Sequence, residues 1–255
     1  MKVFKYRSAN RYNIDYFIKN QINGTLFKYF DDQGELDWFV DKNRLKKNKI
    51  ILIANQVVHH LIDNCRSHYY LSCFSSVPPA SSQSLSLWDK FTSNCGFCLE
   101  YDEREIMRII NHQLWLDIPY RLHYGAIQYI DDPYDFSEFI NEYFDLVGDD
   151  LLNKERHKFA SDNLLLTLSR KNKVHIVTNS LLRKKKKYDF ECEYRIYGHD
   201  DSKHFGDYVS LFTLKPKKVY IPSSMNVFDK NTIINHCLEN EILFEIVNLQ
   251  SLNSK

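Results

Sequence analysis

The sequence predicts an α+β fold. Short β-prone segments recur towards both ends of the chain, and helical-period stretches cluster between them, most densely in an insert at about residues 134–170. Size is the third indication. With 255 residues, 44% of them hydrophobic, and with no internal repeat or clear linker, the chain can fill one core, and residues 1–255 read as a single domain.

Taken in order, Lys2–Arg7 is a short strand, Ile14–Lys19 carries a helical pattern, and apolar strands or turns surround Leu26–Phe30. Between Arg44 and Asn64 the residues Leu45, Ile50, Ile53, Val57, Val58, Leu61 and Ile62 recur at helical spacing. Tyr69–Ser75 is β-prone and stops before Val77-Pro78-Pro79-Ala80-Ser81-Ser82, where consecutive prolines remove backbone donors. Leu85–Phe91 returns to helical spacing, Gly96–Tyr101 reads as a strand, and Glu103–Leu116 reads as an amphipathic helix capped by Asp102. Leu122–Ile130 is a strand ended by Asp131-Asp132-Pro133. Phe136–Leu146 and Asp149–Leu168 are the helices of the insert, divided by Gly148. Strands follow at Lys173–Thr178, Glu191–Tyr197, Tyr208–Thr213 and Lys218–Ile221, then a helix at Asp229–Asn240 and a last strand at Leu243–Val247.

Thirty-four basic and 33 acidic residues nearly cancel, so no global field draws the molecule to nucleic acid or to an anionic membrane. The opening residues lack the apolar core of a signal peptide, and the longest apolar run, near Ile50–Ala54, is too short to span a bilayer, so a cytoplasmic location away from membranes is expected. Cys65, Cys73, Cys95, Cys98, Cys192 and Cys237 are expected as reduced thiols in a chain of this length. Cys95-Gly96-Phe97-Cys98 lacks the second pair that a tetrahedral zinc site needs, and His59-His60 point about a hundred degrees apart on a helix, so no metal is expected. Seven glycines, none in a phosphate-loop spacing, argue against a Rossmann site.

Glu191-Cys192-Glu193 is the segment richest in chemistry. On a strand, residues i and i+2 share a face, so Glu191 and Glu193 would stand together while Phe190, Cys192 and Tyr194 turn to the apolar side. Such a pair suits either a site that needs one carboxylate to bind and another to stabilise a cation, or a solvated face neutralised by Arg195 and nearby lysines. Just upstream, Arg183-Lys184-Lys185-Lys186-Lys187 concentrates positive charge. It suits a solvated loop, a nucleic acid whose phosphates Lys184, Lys185, Lys186 and Lys187 would attract, or a protein partner.

Phe4-Lys5-Tyr6-Arg7 closes the first strand, Cys73-Phe74-Ser75 closes a middle one and Glu191-Cys192-Glu193 opens a late one. In that order they resemble the arginine–serine–glutamate branch of the ADP-ribosyltransferase superfamily. Leu87-Trp88-Asp89-Lys90-Phe91, Gly96-Phe97-Cys98-Leu99-Glu100-Tyr101, Ile127-Gln128-Tyr129, and Lys184 and Tyr188 ahead of Glu-x-Glu-Tyr-Arg look like the motif series of a large bacterial family of uncharacterised domains. Some of its members are regarded as ADP-ribosyltransferase-like and occur in toxin or phage-defence settings. The likeness covers roughly residues 3–221 without the insert. The chain departs from the pattern in carrying Tyr188 where tryptophan is usual and in lacking an Asn-Asp-Pro-Phe-Asp box after the Leu26–Phe30 region.

The resemblance implies an ADP-ribosyltransferase-like split β-sheet core with a helical insert, and NAD as the substrate. It also implies a macromolecular acceptor, either nucleic acid such as RNA or protein, with a neutralising antitoxin as a further partner. Cleavage of the nicotinamide–ribose bond builds an oxocarbenium-like transition state, which a carboxylate at Glu193 would stabilise. Glu191 would orient or deprotonate the acceptor's nucleophile. Arg7 would grip a phosphate or ribose oxygen. Ser75 would hydrogen-bond Glu193 or the nicotinamide ribose, and Tyr6 or Tyr188 would stack on nicotinamide. Two other readings of the acids stay open: a Mg²⁺-dependent nuclease using Glu191, Glu193 and a distant Asp, and a non-catalytic interaction module.

Overall fold

Residue by residue, the computed structural model describes 1–30, 38–46, 51–112, 121–147, 181–199 and 207–252. The elements begin β1 (Lys2–Arg7), α1 (Arg11–Ile18), β2 (Gln21–Leu26), β3 (Trp38–Phe39), α2 (Ile51–His68) and β4 (Tyr69–Ser75). They continue with α3 (Leu85–Thr92), β5 (Phe97–Asp102), α4 (Glu103–Asn111), β6 (Arg121–Ala126), β7 (Gln128–Tyr129), β8 (Tyr134–Asp135), α5 (Ser137–Val147) and β9 (Arg183–Lys184). The last are β10 (Glu193–His199), β11 (Tyr208–Thr213), β12 (Lys218–Pro222), α6 (Val227–Glu239), β13 (Leu243–Val247) and α7 (Leu249–Leu252). This is the α+β arrangement expected. The strand expected at Lys173–Thr178 and the helix at Asp149–Leu168 lie outside the described residues.

The chain forms two compact units, one of Met1–Thr25, Tyr70–Ala126 and Asp189–Lys255, the other of Leu26–Tyr69 and Ile127–Tyr188. The first unit contains a nine-stranded mixed sheet in the order β11-β2-β4-β1-β5-β12-β13, with β10 beside β4 and β6 beside β10. β1 is antiparallel to β4 and β5, whereas β12 and β13 run parallel. A strand has only two edges, and β4 has three neighbours, β1, β2 and β10, so two of them share an edge and the sheet forks at β4. Trp88 of α3 is fully buried with Phe4, Cys98, Tyr220, Val247 and Leu252, and its indole N–H donates to the Pro79 carbonyl at 2.9 Å. That bond ties the double-proline loop to the helix. Asp102 caps α4 as expected, its carboxylate accepting from the Arg104 N–H at 2.8 Å.

In the second unit β3 pairs in parallel with β8, and β7 with β9. Trp38 meets His59 of α2 and Phe136 edge-on, and α5 occupies part of the expected insert. No helix among the described residues is long and apolar enough to cross a membrane.

Gly96 leaves no room for a side chain, because a Cβ there would lie 2.0 Å from the Arg7 carbonyl oxygen and 2.8 Å from Thr92 Cβ. The turn between α3 and β5 thus presses backbone against backbone at the end of β1. Gly96→Ala should lower the unfolding free energy by about 2 kcal/mol or more, as overpacking against main chain does, measured by urea denaturation with an unchanged slope.

Candidate functional site

β1 sends its residues alternately to two faces of the sheet. Phe4 and Tyr6 take the face of α3, where the Tyr6 ring meets Trp88 edge-on at 5.2 Å and its hydroxyl donates to the Val77 carbonyl at 3.5 Å. Lys5 and Arg7 take the other, in register with Leu99 and Phe97. Lys5 is only 5% exposed. Its ammonium donates to Ser72 Oγ at 2.6 Å and to the Cys73 carbonyl at 3.2 Å, and lies 4.7 Å from the centre of the Phe74 ring. Arg7, half-buried at the strand end, donates to Asn13 Oδ1 at 3.4 Å. Among the described residues neither cation is salt-bridged to a carboxylate.

Electrostatics follows from that burial. Desolvation pulls the Lys5 amine well below its usual range and Arg7 repels it further, while Cys73 and Glu193 act in the opposite direction. Burial likewise lowers the Arg7 guanidinium to about 10. The Cys73 thiol is pushed up by burial first and then by the nearby Glu193 carboxylate, which accepts its hydrogen bond.

The segment that carries the acids departs from the expected strand. Lys186–Glu191 is a 3-10 helix, Cys192 takes φ 42°, and β10 starts only at Glu193. One left-handed residue breaks the two-residue alternation on which the shared face depended. The turn is clamped from β4: Ser75 Oγ donates to the Glu191 carbonyl at 2.6 Å and the Ser76 N–H to the Cys192 carbonyl at 3.1 Å, while the Cys192 N–H closes on the Asp189 carbonyl at 3.1 Å. These bonds offset a conformation that costs a non-glycine residue about 1–3 kcal/mol. The two acids therefore do not stand together on a solvated face. Glu191 is 1% and Glu193 5% exposed, and Phe190 and Cys192, expected on the apolar side, are exposed instead.

Each acid has its own cation. Glu191 Oε1 accepts from Lys90 Nζ of α3 at 2.6 Å. Glu193 Oε1 accepts from Arg195 Nε at 2.7 Å, and Arg195 is completely buried. Ser75 thus braces the main chain at Glu191, and Arg195 and Cys73 take the part expected of Ser75 in orienting Glu193. Arg195 neutralises an acid as the sequence suggested, but inside the protein.

Tyr188 and the basic run belong to the second unit. Lys184 is 4% exposed, with its ammonium 5.2 Å from the centre of the Tyr188 ring, and Lys187 lies over the same ring at 4.8 Å. The expectation of four lysines facing a polyanion is therefore corrected at Lys184, which buries its stem and rests its charge on an aromatic face. Lys185 is half-buried, and only Lys186 and Lys187 are exposed. The backbone N–H of Lys186 donates to Asp131 Oδ1 at 3.0 Å.

Residues 87–196 match the model of a family described as "Protein of unknown function (DUF2971)". The matched stretch is less than half of the chain. It holds Lys90, Glu191, Glu193 and Arg195 and leaves Lys5, Arg7 and Ser75 outside. No curated protein and no solved structure matches the chain.

Lys5, Cys73 and Lys90 were not singled out from the sequence as functional. The sequence does signal Lys5, because it stands two residues before Arg7 on a strand and must share its face. Cys73 and Lys90 had no such signal: their partners lie more than a hundred residues away. Among the described residues no three His, Cys, Asp or Glu side chains converge as a metal centre requires.

Lys5 makes stability depend on pH with a definite sign. The unfolded amine titrates at the ordinary lysine value of 10.5 and the folded one well below it, so between those limits the unfolded chain holds more protons and stability rises with pH. Lys5→Met removes that contribution. In paired urea titrations at about pH 7, 8.5 and 10, wild type should gain on the variant as pH rises, by at most about 1.4 kcal/mol per unit; a constant difference would show that Lys5 titrates normally.

Proposed function

We propose that the protein transfers ADP-ribose from NAD to a macromolecular acceptor, protein or nucleic acid. The observation that carries this reading is the contiguity of three strands: β1 ending in Arg7, β4 ending in Ser75 and β10 beginning at Glu193 are successive neighbours in one sheet. The fork at β4 supports the finer reading of that sheet as the split core of an ADP-ribosyltransferase.

The chemistry divides between the two acids. When the bond between nicotinamide and C1′ of the ribose breaks, nicotinamide leaves with the bonding pair and the sugar becomes oxocarbenium-like. Glu193, buried and fixed by Arg195, supplies negative charge of set orientation to that centre, a form of stabilisation that gains strength where water is excluded. A lone pair of the acceptor then forms the new bond to C1′, and the acceptor's proton passes to Glu191. Arg7, with no carboxylate of its own among the described residues, offers its guanidinium to a phosphate or ribose oxygen.

The test is incubation with NAD labelled in the adenylate, with and without RNA, DNA, cell lysate or chelator, scoring free ADP-ribose and labelled polymer. Turnover that requires a divalent metal and ignores NAD would overturn the reading. Glu193→Gln should lower both nicotinamide release and transfer about 10²-fold or more, as loss of a transition-state charge does. That variant leaves buried Arg195 without this carboxylate, at about 3–5 kcal/mol, so the rates are compared at a temperature where its circular dichroism is native. Glu191→Gln should reduce transfer about 10²-fold and nicotinamide release to water much less, because general-base catalysis serves the nucleophile; equal losses would show that the roles are divided wrongly.

A further inference from the structure

We infer that Lys90 is a positioning residue for the acceptor step, holding the Glu191 carboxylate in the orientation in which it receives the acceptor's proton. The inference rests on the transfer reading above and extends it to a residue outside the arginine–serine–glutamate set. At least two independent elements hold Glu191. Its main chain is held from β4 by Ser75 Oγ at 2.6 Å, and its side chain from α3 by Lys90 Nζ, also at 2.6 Å. α3 is itself rigidly seated, because Trp88, two residues before Lys90, is fully buried and bonded to the Pro79 carbonyl.

The pair is unequal in a way that stability alone does not explain. Glu191 is 1% exposed, whereas the Lys90 side chain is 34% exposed. An ion pair with one deeply buried member returns little net stability, and apolar residues of similar size often serve as well or better. Orientation is what such a pair supplies. A carboxylate locked at both backbone and side chain can meet an incoming nucleophile without rotamer search, which is where positional accuracy affects rate. The proton balance is simple: the acceptor's N–H or O–H proton moves to a Glu191 oxygen, Lys90 stays protonated, and Glu191 returns its proton to solvent after the product leaves.

The experiment compares transfer and NAD hydrolysis in wild type, Lys90→Met, Lys90→Arg, Glu191→Gln and the double variant Lys90→Met/Glu191→Gln. Groups that act as one unit are non-additive, so Lys90→Met should lower transfer about tenfold alone and no further on the Glu191→Gln background. Hydrolysis should stay within about twofold, and Lys90→Arg should recover most of the transfer, since a guanidinium also pairs a carboxylate. Multiplicative losses in the double variant, parallel loss of hydrolysis and transfer, or failure of the arginine to rescue would each overturn the inference. Should Lys90→Met fold poorly, the double variant and Lys90→Arg, in which no buried charge is stranded, still decide it. If wild type releases no nicotinamide at all, the transfer reading fails and this inference with it; if wild type turns over and the losses multiply, only the role of Lys90 fails.

Discussion

The left-handed turn at Cys192 is the constraint on which the candidate site depends. Had the chain run straight from Glu191 into β10, two carboxylates would have projected side by side and repelled each other. By reversing alternation at one residue, the turn delivers Glu191 to Lys90 on α3 and Glu193 to Arg195 within the sheet. Like charges two residues apart thereby acquire separate surroundings, and separate surroundings are what allow two carboxylates to perform different tasks. Ser75 and Ser76 hold the turn from β4, so the strand end that the sequence marked as chemical acts through geometry.

The first unit concentrates ionised groups that folding would ordinarily leave in water. Glu193 and Arg195 compensate each other, Glu191 has Lys90, and Glu100 is held by the Tyr220 hydroxyl and the Lys2 ammonium. Lys5 is compensated differently, by a hydroxyl, a carbonyl and an aromatic face. Hydrogen bonds of this kind meet the donors of an ammonium without neutralising it. Arg7 therefore leaves positive charge on one face of β1, beside a Lys5 amine that burial disfavours as a cation, while the apolar cluster around Trp88 lies on the other. Cohesion and charge are thus separated by the alternation of a single strand.

Local patterns carried much of the fold. β1, β4, β11 and β13 occupy the residues that β-propensity marked, and the Asp102 cap stands where the helix signal put it. The acids were harder to place. Period-2 reasoning assumes unbroken extended backbone, and one non-glycine residue at positive φ leaves no trace in composition or spacing. Contacts such as Lys90–Glu191, 101 residues apart, are invisible to any argument from windows of sequence. Lys184 shows the converse error: a run of like charges reads as solvated, yet the neighbouring Tyr188 ring gives one member a reason to be buried.

The first unit is assembled from three stretches of chain separated by the two stretches of the second. On a ribosome adding about 5–20 residues per second, the 101 residues between Lys90 and Glu191 take roughly 5–20 s to appear. During that interval the nascent chain already has Lys5, Arg7, Ser75 and Lys90, and β4 has no β10 to pair with. Both acids arrive only after the two stretches of the second unit have been made. A transcript cut short before them encodes Lys90 without its Glu191 partner, so the order of synthesis withholds that ion pair until the second unit is complete.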